Sequence, residues 1–223
     1  VADGESAVKL WDANTTADIR VVHGISDAPA VDVIANNELV LVDALAFPMA
    51  TDYLSVMPAD YLIDVVADAD NSIVAIDDAA VTLETGMSYT AIANNELAAP
   101  ELDLLMDMPR RVATEAKVRI IHASPAAGSV DIYVTGDGEI ADVDPAFAGV
   151  DYSTDALAET GYVSLAAGEY FVTVTAAGTK EAAIATGSLM LDAGNVYTAI
   201  AVNGAIEGAL PQLILLDDFV ATP

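Results

Sequence analysis

His23, Ser26 and Asp32, and again His122, Ser124 and Asp131, are the residues of this sequence whose types and spacing could do chemistry. A base, a hydroxyl and a carboxylate are the parts of a nucleophilic triad, in which the base must reach the nucleophile and a third group must orient it. The spacing does not supply that arrangement. No Gly-x-Ser-x-Gly elbow is present, and when the two histidines are superposed Ser26 falls on Pro125 rather than on Ser124. The chain is therefore read as a non-enzyme with no catalytic residues. The same side chains have a structural use: Arg20, His23 and Asp32, with Arg119, His122 and Asp131, can anchor a strand and the loop that follows it through charge-assisted hydrogen bonds.

A second chemistry is cation binding. Calcium takes six to eight oxygen ligands from carboxylates and carbonyls, and Asp137, Glu139, Asp142 and Asp144 are offered within one short stretch, followed by Asp151 and Asp155. Asp68, Asp70 and Asn71, then Asp77 and Asp78, offer less. Neither stretch follows the Asp-x-Asp-x-Asp-Gly calcium-loop pattern. The four residues from Asp137 to Asp144 are the calcium candidates, the alternative is a solvated acidic loop, and no cofactor is required. Cysteine is absent, which excludes disulfides, thiolate metal sites and a cysteine nucleophile.

The elements that must position these residues are repeated. Arg20-Val-Val-His23-Gly-Ile-Ser-Asp-Ala-Pro29-Ala-Val31-Asp32-Val33 aligns without a gap on Arg119-Ile-Ile-His122-Ala-Ser-Pro-Ala-Ala-Gly128-Ser-Val130-Asp131-Ile132. Asp60-Tyr61 to Val65 matches Glu169-Tyr170 to Val174, Leu83 to Ala93 matches Leu191 to Ala201, and Leu102 to Leu105 matches Leu213 to Leu216. The offset is 99 at the histidines (122 − 23) and 109 at the tyrosines (170 − 61), so the second copy holds about ten extra residues. Apolar residues alternate with period two, as at Tyr61, Ile63 and Val65, and Pro and Gly punctuate short segments. These signals predict an all-β chain of two tandem immunoglobulin-like β-sandwich domains. The expected boundaries are an N-terminal extension at 1–18, a first sandwich at 19–108, a linker at 109–116, and a second sandwich at 117–223 with an acidic insertion near 136–160. The extension holds Val8, Leu10 and Trp11, which would form an added edge strand or a strand donated to a neighbouring molecule.

The chain has 223 residues with 7 Lys+Arg against 35 Asp+Glu, a formal net charge of −28. That excludes a nucleic-acid binder, which needs a basic footprint. Mean hydropathy is nonetheless +0.47, and 24 of the 35 acids are Asp. Such a surface suits a salty medium, where ions screen the carboxylates, or a secreted protein kept soluble by its charge. Composition does not separate the two. No apolar run reaches the length of a transmembrane span, and the start at Val1-Ala2-Asp3 fits a mature exported chain or an excised segment. Of the eight tyrosines, Tyr152 in the insertion is free to meet a sugar or protein partner, whereas a single Trp argues against an aromatic glycan platform.

The Arg-Val-Val-His start, the Pro-Ala-Val-Asp-Val continuation, the Asp-Tyr-Leu or Glu-Tyr-Phe strand and the Gly-x-x-Tyr-Thr-Ala strand together resemble the family catalogued as domain of unknown function 4397, over nearly all of both copies. The resemblance implies exported β-sandwich modules of bacterial or archaeal cell surfaces, often in tandem, with no catalytic residues to carry over. The family's usual His-x-Ser-Pro-Asp-Ala-Pro loop is incomplete here, at Ser26-Asp27-Ala28-Pro29 and at Ser124-Pro125-Ala126. The expected function is a non-enzymatic extracellular or cell-surface structural or adhesive protein, a self-assembling subunit of a filament or matrix joined by strand pairing. Its partners would be itself or other surface proteins. The alternative is a module that binds calcium, a glycan or a protein through its sandwich end loops.

Overall fold

A computed structural model describes residues 15–219 other than 109, 155 and 207. The first sandwich uses β1 (Ala17–His23), β2 (Val31–Ala35), β3 (Leu39–Leu45), β4 (Leu54–Val56), β5 (Ala59–Ala67), β6 (Asp70–Leu83), β7 (Ser88–Asn94) and β8 (Glu101–Asp107). Its two sheets run β4-β1-β7-β8 and β3-β2-β5-β6. The second uses β9 (Ala116–Ala123), β10 (Val130–Thr135), β11 (Phe147–Val150), β12 (Ala158–Glu159), β13 (Val163–Leu165), β14 (Gly168–Ala176), β15 (Ala182–Ala185), β16 (Leu189–Leu191), β17 (Val196–Val202) and β18 (Gln212–Asp217). One sheet runs β12-β9-β17-β18 with β13 also on β9, and the other β11-β10-β14-β15 with β16 also on β14. The all-β sandwich class expected from period-two patterning is the class observed.

Most neighbours pair antiparallel, but β1 lies parallel to β7, with Ile19 opposite Tyr89 and His23 opposite Ala93. β9 lies parallel to β17 in the same way, with Val118 opposite Tyr197 and His122 opposite Ala201. These four strands are buried almost throughout, as strands covered on both faces must be. Period two sorts their residues between two cores. Val21 points inward with Ile25, Val31, Val33, Ile63 and Val65, while Val22 and Ile92 point outward onto Ile121, Ile200, Val202, Ile214 and Leu216 of the second sandwich. Ile120, in turn, belongs to the second sandwich's own core with Val130, Ile132 and Val174. The molecule is thus four sheets deep, and the third core seals the sandwiches face to face.

Bulges shape the outer sheets, and buried aspartates hold them. Ala44 has φ +53° and Gly149 φ +61°. Ala44 N–H donates to Asp32 Oδ1 at 2.9 Å and Gly149 N–H to Asp131 Oδ1 at 2.7 Å. Asp64, on a strand whose alternation predicts an outward face, is buried because it accepts Asp78 N–H at 2.8 Å where Asp78 turns at φ +50°. The segment expected as linker is a tight turn, closed by Glu115 N–H to Val112 C=O and held by Arg111, whose guanidinium pairs with Asp218. Val8, Leu10 and Trp11 lie outside the described residues.

Candidate functional site

The six anchor residues do three different jobs. Each histidine ties down its own loop: His23 Nε2–H donates to Pro29 C=O at 2.9 Å while Nδ1 accepts Ile25 N–H, and His122 Nε2–H donates to Gly128 C=O at 2.7 Å while Nδ1 faces Ser124 N–H. Burial lowers both histidine pKa values, so both rings are neutral near pH 7 with both nitrogens used. Asp32 and Asp131 hold the bulges, and Asp131 also accepts Gly178 N–H at 2.8 Å. Those backbone donors lower its pKa. Among the described residues both nitrogens of each histidine face backbone groups rather than the hydroxyl of Ser26 or Ser124.

The arginines reach across to the other sandwich. Arg20 on β1 sends Nη1 to Asp217 Oδ1 on β18 at 2.7 Å, and Arg119 on β9 sends Nη1 to Asp107 Oδ1 on β8 at 2.6 Å. Each arginine therefore pairs with the last strand of the opposite sandwich. Asp107 also accepts the hydroxyls of Thr90 at 2.6 Å and Tyr53 at 2.7 Å, and Arg20 Nε donates to Thr90 Oγ1 at 2.8 Å. Tyr53 stacks under Arg20 at 4.8 Å and Tyr162 under Arg119 at 5.2 Å. Burial works against both guanidinium charges, but the facing tyrosines and carboxylates offset it and raise both pKa values. Tyr53 is driven strongly upward, mainly by burial, so its phenol stays protonated and donates. The cluster is not symmetric: Arg119 Nε pairs with Glu159, while Arg119 Nη2 and Thr198 Oγ1 are buried without a partner among the described residues.

Tyr53 and Tyr162 share the 109 offset of Tyr61 and Tyr170 (162 − 53), a signal the sequence carried. Asp107 and Asp217 had none, because the strand alignment (102 to 213) places Asp107 on Asp218. Tyr152, expected to be free, is instead turned into the interface. Its hydroxyl donates to Asn94 Oδ1 at 2.8 Å, its ring meets His122 edge-on at 6.1 Å, and burial pushes its pKa up to about 12. The insertion that carries it is thereby bound to the first sandwich.

The acidic stretch is spread out. Asp137 caps Glu139 N–H at 3.1 Å, and Asp137, Glu139, Asp142 and Asp144 are not among the carboxylate triplets that converge in the described residues. Those are Asp32, Asp43 and Asp68, and Asp64, Asp77 and Asp78. Asp32 and Asp64 in these triplets already hold bulge amides.

One cleft opens at the end of the second sandwich, between its two sheets, with a volume of about 350 Å³. Val130, Val174, Ile184 and Leu210 give it apolar walls, and His122, Ser124 and Asn203 lie at its polar side. Ser124 Oγ–H donates to Asn203 Oδ1 at 2.7 Å and Ala126 N–H donates to the same oxygen at 3.1 Å.

Residues 17–133 match the family described as "Domain of unknown function (DUF4397)". The match spans just over half of the chain, from β1 through the 109–116 turn into β10, and the chain belongs to this family. No curated protein matches it. Among solved structures it is similar to the TIE protein of Bacillus anthracis, at 11% identity over 84% of this chain and 34% of that one, with TM-score 0.26. It thus spans about a third of that protein's length. Family CBM26 module CBMbc from Eubacterium rectale Amy13K, in complex with maltoheptaose, matches at 10% identity over 90% of this chain and 96% of that one, TM-score 0.29. A candidate cell adhesion protein of Bacteroides fragilis matches at 10% identity over 91% and 97%, TM-score 0.25.

Proposed function

We propose that this chain is a tandem repeat of one sandwich, fused into a single stiff block, and that it serves as a non-enzymatic structural or adhesive module outside the cell or on its surface. The observation that carries the reading is the exchange of buried arginine–carboxylate pairs between the sandwiches. It joins two small folds into a body suited to bearing load or spacing partners. The recurrence of parallel pairing and of bulge-holding aspartates supports descent of both halves from one unit. Among the described residues no helix is long and apolar enough to cross a membrane, and the reading needs no cofactor. Contacts between copies would use exposed strand edges, such as β3 with Leu39 and Val40 each 52% exposed, in a salt that screens the carboxylates.

Sedimentation of the chain at low and high salt, followed by electron microscopy of the same sample, tests this. Species much heavier than 22.9 kDa that grow with salt are expected, and a monomer at every salt would overturn self-assembly. A second reading, a module that binds ligand at a sandwich end, is favoured by the cleft beside Ser124 and Asn203.

A further inference from the structure

The two sandwiches share much of the lining at their ends. Val31, Val65, Ala67, Ile76 and Ala93 of the first correspond in strand register to Val130, Val174, Ala176, Ile184 and Ala201 of the second. Where they differ, Ile25 stands against Ser124, matched by the 99 offset and by their bonds to the histidine ring, and Asp27 against Ala126. Ile25 is fully buried and plugs the first sandwich's core. Serine is too short to do so, and Ser124 lines the cleft of the second sandwich.

Two further features shape the opening. Twelve positions separate Ala201 from Leu213, against nine between Ala93 and Leu102, so the rim loop is three residues longer. That loop folds back hard on itself: a Cβ on Gly204 would meet Ala209 Cβ at 2.5 Å and Leu210 O at 2.6 Å. Asn203, 8% exposed, uses its carbonyl oxygen for Ser124 and Ala126, and its amide NH2 has no partner among the described residues. Asn203 lines the cleft, so this NH2 is a donor that a guest can use. Among the described residues no carboxylate or cation lines the cleft, and a net charge of −28 opposes an anionic guest.

Resting on the ligand-binding reading above, we infer that the cleft of the second sandwich binds a small, uncharged, largely apolar molecule that carries one hydrogen-bond acceptor. The apolar body sits against Val130, Val174, Ile184 and Leu210, and the acceptor takes the Asn203 NH2. The volume is near the lower end of that of small-molecule sites, roughly 300–1,000 Å³. The first sandwich, plugged by Ile25, binds nothing at its equivalent end.

The test uses the full chain and prodan, a neutral fluorescent naphthyl ketone. The expected result is saturable, blue-shifted emission with one site per chain. 2-(Dimethylamino)naphthalene, which lacks the carbonyl, binds about five- to tenfold more weakly, as loss of one hydrogen bond requires. Ser124→Ile copies the first sandwich's plug and abolishes saturable binding while the thermal transition is kept. Ala183→Phe, placed at the mouth, does the same by an independent route should the isoleucine disturb folding. No saturable binding by folded wild type, or equal binding by both plugged variants, overturns the inference. Self-association that disappears in Ser124→Ile, without prodan binding, would assign the cleft to a second copy and also overturns it. In either case the structural-module reading stands or falls separately, on the sedimentation result.

Discussion

Replacing Asp107 with Asn removes one charge from the centre of the molecule and should destabilise both sandwiches. The Asp107 side chain is 1% exposed, and so is that of its partner Arg119. Asp107 takes three donors: Arg119 at 2.6 Å, Thr90 at 2.6 Å and Tyr53 at 2.7 Å. An asparagine keeps the shape but turns an NH2 towards groups that also donate, and it leaves Arg119 with Glu159 as its only carboxylate. Breaking one partner of a buried ion pair costs about 3–5 kcal/mol. At about 2–4 °C per kcal/mol for a chain of this size, the melting temperature should fall by roughly 6–20 °C. Urea unfolding followed by circular dichroism, with calorimetry, reads both quantities. Adding Arg119→Met to Asp107→Asn should recover much of the loss, because the penalty is an uncompensated buried charge. The control is Arg111→Ala, which breaks a pair whose arginine side chain is 53% exposed and should cost under about 1 kcal/mol. If Asp107→Asn cost no more than Arg111→Ala, the clamp would not hold the sandwiches together.

Other outcomes follow from the same contacts. Gly24→Ala should destabilise by about 1–3 kcal/mol through overpacking, measured by urea unfolding, because the new Cβ would sit 2.9 Å from Ala93 O and 3.4 Å from Val202; a neutral result would mean the sheets part easily there. Stability should fall as pH drops from about 6.5 towards 5. His23 and His122 have folded pKa values below the unfolded value, so the unfolded chain binds more protons in that window; urea midpoints that rise across it would contradict this. The melting temperature should rise with sodium chloride, since a net charge of −28 is self-repulsive until screened. A flat response would mean the carboxylates are too far apart to interact.

What could be read from residues alone follows a physical line. Period-two alternation and matched offsets carry strand and repeat information because they are local, so the sandwich class and the pairing of His23 with His122 were legible. The plug is legible too, as Ile25 set against Ser124, but only once burial shows what Ile25 fills. The face between the sandwiches was not. Val21-Val22 and Ile120-Ile121 read as continuous apolar runs, and such a run does not say what covers its second side. The arginines were read as anchors of their own strands. They cross to Asp217 and Asp107 because their face of the sheet is the one buried against the other sandwich. The freedom expected of Tyr152 failed for the same reason: the insertion that carries it packs into that interface.

The central claim, that exchanged arginine–carboxylate pairs make the two sandwiches one cooperative body, is tested most directly by differential scanning calorimetry of the intact chain at moderate salt. The account predicts a single transition whose calorimetric and van't Hoff enthalpies agree, splitting into two in Asp107→Asn. Two resolved transitions in the wild-type chain, each about half of the total enthalpy, would contradict it.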